Sequence, residues 1–269
     1  MDNRPIGIFD SGVGGLTVLK QVMKVMPNEN TIYFGDTARV PYGSKSKETV
    51  YKFSGQIIRF LKTKDVKAII IACNTVSSNC YEALCKDFPD IKIIDVVSPG
   101  VESCLEATQS GVVGVIGTES TIKSGAYENQ LKKFRSDIEV HSKACPLFVP
   151  LAEEGWVDNE IAALTIKEYL KEPLSYGIDS LILGCTHYPL FKKCIASLIS
   201  EDIRLVDPAK ATALKMQSYL MENDLLSSNE VSQVSHEFYV SDNYLKFENL
   251  CTRILNQNYT SRKIDIDNY

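Results

Sequence analysis

Ala68-Ile-Ile-Ile-Ala-Cys73-Asn74-Thr75-Val-Ser-Ser78 is the stretch from which the rest of the chain can be read. An unbroken β-branched run that stops at small polar residues describes a strand buried on both faces of a parallel sheet. Its carboxyl end opens into a loop that starts a helix. Cys73 therefore stands where open α/β sheets bind their ligands. The same pattern returns at Ser180-Leu-Ile-Leu-Gly-Cys185-Thr186-His187-Tyr-Pro-Leu190. Two cysteines occupy matching strand ends.

Working outward, Gly7-Ile-Phe-Asp10-Ser11-Gly12-Val-Gly14-Gly15 reads as a short strand with a Gly-rich turn, and Leu16 to Met26 follows at helical spacing. The dinucleotide fingerprint would need glycine at Thr17, and no P-loop lysine follows. The other reading is a loop whose backbone N–H groups receive a carboxylate, with Asp10 and Ser11 facing the cleft. Thr31 to Asp36 is a second strand, ending in the shaped loop Asp36-Thr-Ala-Arg39-Val-Pro41-Tyr42-Gly43-Ser44. Lys47 to Lys62 is an amphipathic helix. Ile91 to Val97 reads as a strand, Ser98-Pro99-Gly100 as a break, and a helix then runs to about Gln109.

Gly114-Val-Ile-Gly117-Thr118-Glu119-Ser120-Thr121 resembles the opening strand and loop, and Cys185 follows it at nearly the remove that separates Gly7 from Cys73. Two similar α/β halves, each a parallel sheet covered by helices, then bring one cysteine apiece to a shared cleft. Cys145 to Trp156 reads as a Pro-punctuated loop with adjacent acids Glu153 and Glu154, or as a solvated helix start. The tail adds a helix over Ala209 to Asn223, a short strand Phe238 to Ser241 and a helix Tyr244 to Leu255. It is expected to pack back on the first half. The domains are then 1–97 with 210–269, and 98–209.

The chain has 269 residues and a formal net charge of -5, with no clustered Lys/Arg face, which argues against a nucleic-acid or anionic-membrane binder. No apolar run approaches the roughly 20 residues of a membrane span, and no apolar signal region opens the chain, so a cytoplasmic protein is expected. The eight cysteines are scattered, which suits reduced thiols, and Cys80, Cys85, Cys104, Cys145, Cys194 and Cys251 read as small buried hydrophobes. With three histidines and no metal-ligand spacing, no metal is expected.

Facing thiols suit a symmetric task. One thiolate removes a proton from carbon, and the opposite thiol delivers one to the other face, inverting the centre. A single nucleophilic cysteine would call for an orienting base and an oxyanion hole instead. Proton abstraction α to a carboxylate builds charge on its oxygens, and Asn74, Thr75, Thr186 and the glycine-loop N–H groups are suitable donors. Asp10 and His187 are placed to tune or relay protons.

Asp10-Ser-Gly-Val-Gly-Gly, Gly35-Asp-Thr-Ala-Arg-Val-Pro-Tyr-Gly, Ala72-Cys-Asn-Thr, Gly117-Thr-Glu-Ser-Thr-Ile-Lys-Ser-Gly-Ala-Tyr, Cys145-Pro-Leu-Phe-Val-Pro-Leu and Gly184-Cys-Thr-His-Tyr-Pro-Leu together resemble the bacterial glutamate racemases of the aspartate/glutamate racemase family. The match runs in order from Gly7 to about Pro208. The resemblance implies two α/β domains related by pseudo-symmetry around a cleft, and cofactor-independent interconversion of L- and D-glutamate. It also implies that D-glutamate goes to peptidoglycan, and so to cell-wall biogenesis and cell shape. Cys73 and Cys185 become the acid/base thiols, Cys73 acting on D-glutamate and Cys185 on L-glutamate. Asp10, Glu153 and His187 assist, with Asp36 a weaker candidate. Asp10, Ser11, Tyr42, Gly43, Asn74, Thr75, Thr186 and His187 hold substrate.

A homodimer and a secondary interaction with DNA gyrase are further implications. Because the chain starts almost at its first strand, regulation by a cell-wall precursor is not expected. The competing readings are racemisation of aspartate, since one methylene changes binding by only about 1–3 kcal/mol, and a non-catalytic cleft that merely holds an acidic ligand.

Overall fold

Burial on both faces is what the Ile-rich runs require, and the chain meets it by winding parallel strands between helices. In the computed structural model, which describes residues 1–242 and 244–269, the first half runs β1 (Ile6–Asp10), α1 (Leu16–Val25), β2 (Thr31–Gly35), α2 (Lys47–Thr63), β3 (Ala68–Ile71), α3 (Asn74–Asp87) and β4 (Lys92–Ile94). The second half runs α4 (Val97–Ala107), β5 (Val112–Gly117), α5 (Glu119–Lys123), α6 (Ala126–Phe134), β6 (Glu139–Ala144), α7 (Phe148–Glu154), α8 (Glu160–Ser175), β7 (Ser180–Gly184), α9 (Lys192–Ala196) and β8 (Arg204–Val206). Then come α10 (Pro208–Glu222), β9 (His236–Val240), α11 (Tyr244–Leu255) and β10 (Ser261–Lys263).

Among the described residues the strands form two parallel sheets, β10-β9-β2-β1-β3-β4 and β6-β5-β7-β8. The order β2-β1-β3-β4 repeats as β6-β5-β7-β8, so the two halves share one winding. Cys73 and Cys185 each follow the third strand of their half. Alternate residues of the first sheet face opposite layers. Ile8 and Ile70 meet Leu16, Leu19 and Met216, while Phe9 and Ile71 meet Ile57, Phe60 and Leu84. Each such fully buried side chain contributes about 1.5–3 kcal/mol. The strand ends carrying the site are therefore held firmly from both sides.

The tail returns to the first sheet. β9 pairs with β2 from Thr31↔His236 to Gly35↔Val240, and α11 lays Phe247, Leu250, Cys251 and Ile254 on the core that also takes α1 and α10. β9 begins at His236, two residues before the expected Phe238. β10, polar Ser-Arg-Lys on the sheet edge, offers no apolar alternation from which to read it.

Two Pro-bearing stretches, one read as a break and one left between a loop and a helix start, are helical. The expected strand from Ile91 to Val97 narrows to Lys92–Ile94, and α4 runs straight through Ser98-Pro99-Gly100. Asp95 Oδ2 accepts the Val97 and Ser98 N–H groups at 2.9 Å each, and Pro99 falls in the first turn, where a missing N–H costs nothing. Pro150 likewise sits in the first turn of α7, which Gly155 ends in a left-handed conformation, φ 78°. No helix among the described residues is long and apolar enough to cross a membrane.

Candidate active site

The carboxyl ends of the two sheets face one another across a cavity of about 440 Å³. From the first half it is lined by Ser11, Tyr42, Gly43, Cys73, Asn74 and Thr75, and from the second by Thr118, Glu119, Glu153, Cys185, Thr186 and His187, with Pro146, Val149 and Pro150 supplying apolar wall. Both thiols therefore open onto one space, each delivered by the third strand of its own half. All eight cysteines are free thiols.

The two thiols have different surroundings. Cys73 caps the fourteen-residue helix α3 and donates to Ser11 Oγ at 3.6 Å. Burial, reinforced by the Asp10 carboxylate, raises its pKa far above the usual thiol range, although the contacts with Ser11 and the Val76 N–H oppose the rise. Cys73 rests as a thiol. Cys185 leads instead into a short 3-10 turn, Tyr188–Phe191, and its Sγ lies 3.8 Å from His187 Nδ1. Burial disfavours a charged His187, but Cys185 and Glu153 outweigh it and lift the ring to about 10. These surroundings favour the charged ring beside Cys185.

Glu153 completes that side. Its Oε1 lies 3.7 Å from His187 Nε2, within ion-pair range but beyond a hydrogen bond, and its Oε2 lies 3.0 Å from Lys246 Nζ. His187 chiefly, and Lys246 next, hold Glu153 down to about 2 against the opposing effect of burial. Placed at the end of α7, it is ionised throughout the physiological range.

Three expected residues take positions that the sequence did not reveal. Asp10 is fully buried behind the cavity, and its Oδ2 accepts the N–H groups of Gly12 (3.3 Å) and Gly15 (2.9 Å). Those loop donors are thus engaged by the chain's own carboxylate rather than by a ligand's. Asp36 is also buried away from the cavity, accepting from Arg39 Nε at 2.7 Å, from Ser241 Oγ at 2.8 Å and from the Tyr42 hydroxyl. Tyr42 lines the cavity, but its hydroxyl is turned to Asp36.

Asn74 is oriented by Tyr127, whose hydroxyl donates to Asn74 Oδ1 at 2.6 Å, leaving the amide N–H groups to donate. Thr75 Oγ1 and Thr118 Oγ1 lie 3.0 Å apart across the two halves, and Thr17 Oγ1 donates to Thr186 O at 3.0 Å. Thr118, Tyr127 and Lys246 escaped the sequence reading as site residues. Thr118 carried a signal, since it follows β5 just as Ser11 follows β1; Tyr127 and Lys246 act from other elements and carried none. Among the described residues no group of three or more His, Cys, Asp or Glu is placed to hold a metal ion. What the cavity presents is a pair of thiols, one from each half, flanked by amide, hydroxyl and imidazole groups.

The family model described as Asp/Glu/Hydantoin racemase matches residues 16–216. A glutamate racemase of Geobacter metallireducens is 51% identical over 239 residues, 89% of this chain and 88% of the relative. The glutamate racemase of Francisella tularensis, solved in complex with D-glutamate, superposes with a TM-score of 0.93 at 44% identity, covering 100% of both chains. The glutamate racemase isoform RacE1 of Bacillus anthracis gives a TM-score of 0.94 at 34% identity over 98% of each chain.

Proposed function

The chain belongs to the Asp/Glu/hydantoin racemase family, and from that premise we propose that it is an isomerase interconverting L- and D-glutamate by a two-thiol mechanism. The observation that carries the reading is a single cavity receiving Cys73 from one half and Cys185 from the other.

With L-glutamate bound, the Cys185 thiolate, beside the His187 cation, takes the α-proton. The electron pair of the broken C–H bond spreads into the substrate carboxylate. The Cys73 thiol then delivers its proton to the opposite face. This leaves D-glutamate, a Cys73 thiolate and a Cys185 thiol, ready for the reverse reaction. Asn74, Thr75 and Thr186 supply donors where negative charge grows, each worth several kcal/mol when preorganised in a water-poor site, of order 3–4 kcal/mol by analogy with oxyanion holes. Asp10 acts on Cys73 from behind, and Glu153 acts on His187. Ser11, Tyr42 and Gly43 shape the pocket, and no redox or carbonyl cofactor is needed for the proton transfers.

The reading extends to D-glutamate supply for peptidoglycan, to a cytoplasmic homodimer, and to units at 1–97 with 210–269 and 98–209. The return of β9 and α11 to the first sheet supports those boundaries. An interaction with DNA gyrase would be secondary.

The test is incubation with L-glutamate in deuterium oxide, without pyridoxal phosphate or metal, for the unaltered protein, Cys73→Ser and Cys185→Ser. Loss of optical rotation with α-deuterium in the product, nearly abolished in both variants, is expected. A folded protein that neither racemises nor exchanges glutamate would overturn the assignment.

A further inference from the structure

We propose that Lys246, which projects from α11 of the first half, is a positioning residue: it holds the Glu153 carboxylate of the second half against His187, and so holds the ring against Cys185. The proposal rests on the racemase reading and adds to it a member from the tail.

The carboxylate bridges two cations through its two oxygens. Oε2 lies 3.0 Å from Lys246 Nζ, Oε1 lies 3.7 Å from His187 Nε2, and His187 Nδ1 lies 3.8 Å from Cys185 Sγ. A continuous run of charged and polar groups thus leads from the exposed face of α11 to the thiol. Glu154 Oε1, 3.8 Å from the same ammonium, keeps Lys246 over the last turn of α7. A second contact fixes the approach independently. Arg253, seven residues on and hence on the same helix face, packs on Gly155 so closely that a Cβ there would lie 1.6 Å from its Nη2. Phe247, beside Lys246, is fully buried in the first core.

Stability does not explain this arrangement. Lys246 is 43% exposed, and a half-exposed ion pair is worth about 0–1 kcal/mol. Orientation does explain it: released from Lys246, a Glu153 side chain at the cavity edge turns toward water, and His187 loses its carboxylate.

The charged groups around this run are Cys185, Glu153 and Asp10 about His187, Lys246 and His187 about Glu153, and Glu153 and Glu154 about Lys246, with Arg253 beside Gly155. The sign of a pH shift therefore discriminates. If Lys246 contributed only charge, its removal would make His187 a stronger cation, moving its titration upward from about 10. If it positions Glu153, its removal frees the carboxylate and the titration moves down.

The experiment compares the unaltered protein with Lys246→Ala, Lys246→Met, Lys246→Arg and Glu153→Gln, reading glutamate racemisation from neutral to alkaline pH. It also follows the ¹⁵N imidazole titration of His187, one of three histidines in the chain. Lys246→Ala and Lys246→Met are expected to lose on the order of tenfold in kcat/KM and to titrate lower by about one pH unit. Glu153→Gln should titrate lower as well, and Lys246→Arg should restore most of both. Enantiomers have equal free energy in water, so kcat/KM must fall by one factor in both directions. An inactive unaltered protein would sink the racemase reading. An active one whose Lys246→Ala and Lys246→Met variants keep their rate, or whose His187 titration stays put or rises, overturns the role of Lys246 alone.

Discussion

Gly14 shows how much of this site is built from what a side chain would obstruct. A Cβ at that position would lie 2.3 Å from Thr186 Oγ1 and 2.5 Å from His187 Nδ1, so the first loop touches the second half's Thr186–His187 turn with bare backbone. Thr186 has little room to retreat, because Thr17 in the first turn of α1 donates to its carbonyl at 3.0 Å. In the sequence the glycines suggested a cradle for a phosphate or carboxylate, and their local pattern could not reveal that Gly14 serves a contact with a residue far along the chain. Gly14→Ala is expected to fold, at a cost of about 1–3 kcal/mol for overpacking. His187 must yield, and displacement of a catalytic group by about 1 Å can cost on the order of 100-fold. A variant with near-normal kcat/KM by coupled D-glutamate assay would mean that the turn adapts without losing its geometry.

At the scale of elements, sequence pattern revealed most where burial was two-sided and least where capping decided the outcome. β3 and β7 announced themselves by unbroken aliphatic runs, and Cys73 and Cys185 were placed at their ends from that signal alone. α4 was missed at its start, because Ser98-Pro99-Gly100 looks like a break until Asp95 is seen accepting two of its N–H groups. That cap carries weight beyond α4, since α4 packs on α6 and α10 where the chain crosses between halves. Asp95→Ala should cost about 1–2 kcal/mol, the range for losing a capping side chain, and lower Tm by several degrees in a chain of this size. Asp95→Asn, which keeps an acceptor, should recover most of it. Calorimetry giving Asp95→Ala an unchanged Tm would show that α4 is held by packing alone.

Across the whole molecule, duplication was visible in the sequence as two strand-cysteine patterns, and the structure renders it as one strand order used twice. The return of α11 onto the second half was hidden, because nothing in its sequence marks Lys246 and Arg253 as lying against α7 and Gly155. The contacts that join the halves around the cavity are polar: Thr75 with Thr118, Thr17 with Thr186, and Lys246 with Glu153. The hydrophobic clusters, by contrast, gather mainly around one sheet or the other, with Leu190 packed against both. An interface made this way permits relative motion of its two sides. Removing a weakly acidic α-proton is favoured in a site from which water is excluded, and bound glutamate, with an α- and a γ-carboxylate, offers each half one to grip. Saturating D- or L-glutamate should therefore draw the halves together and reduce the radius of gyration in small-angle scattering, with the α4 and α10 crossover as the hinge. Superimposable profiles with and without glutamate would mean that the cavity is already closed to its working shape, leaving side-chain ordering around the two thiols as the only rearrangement that binding requires.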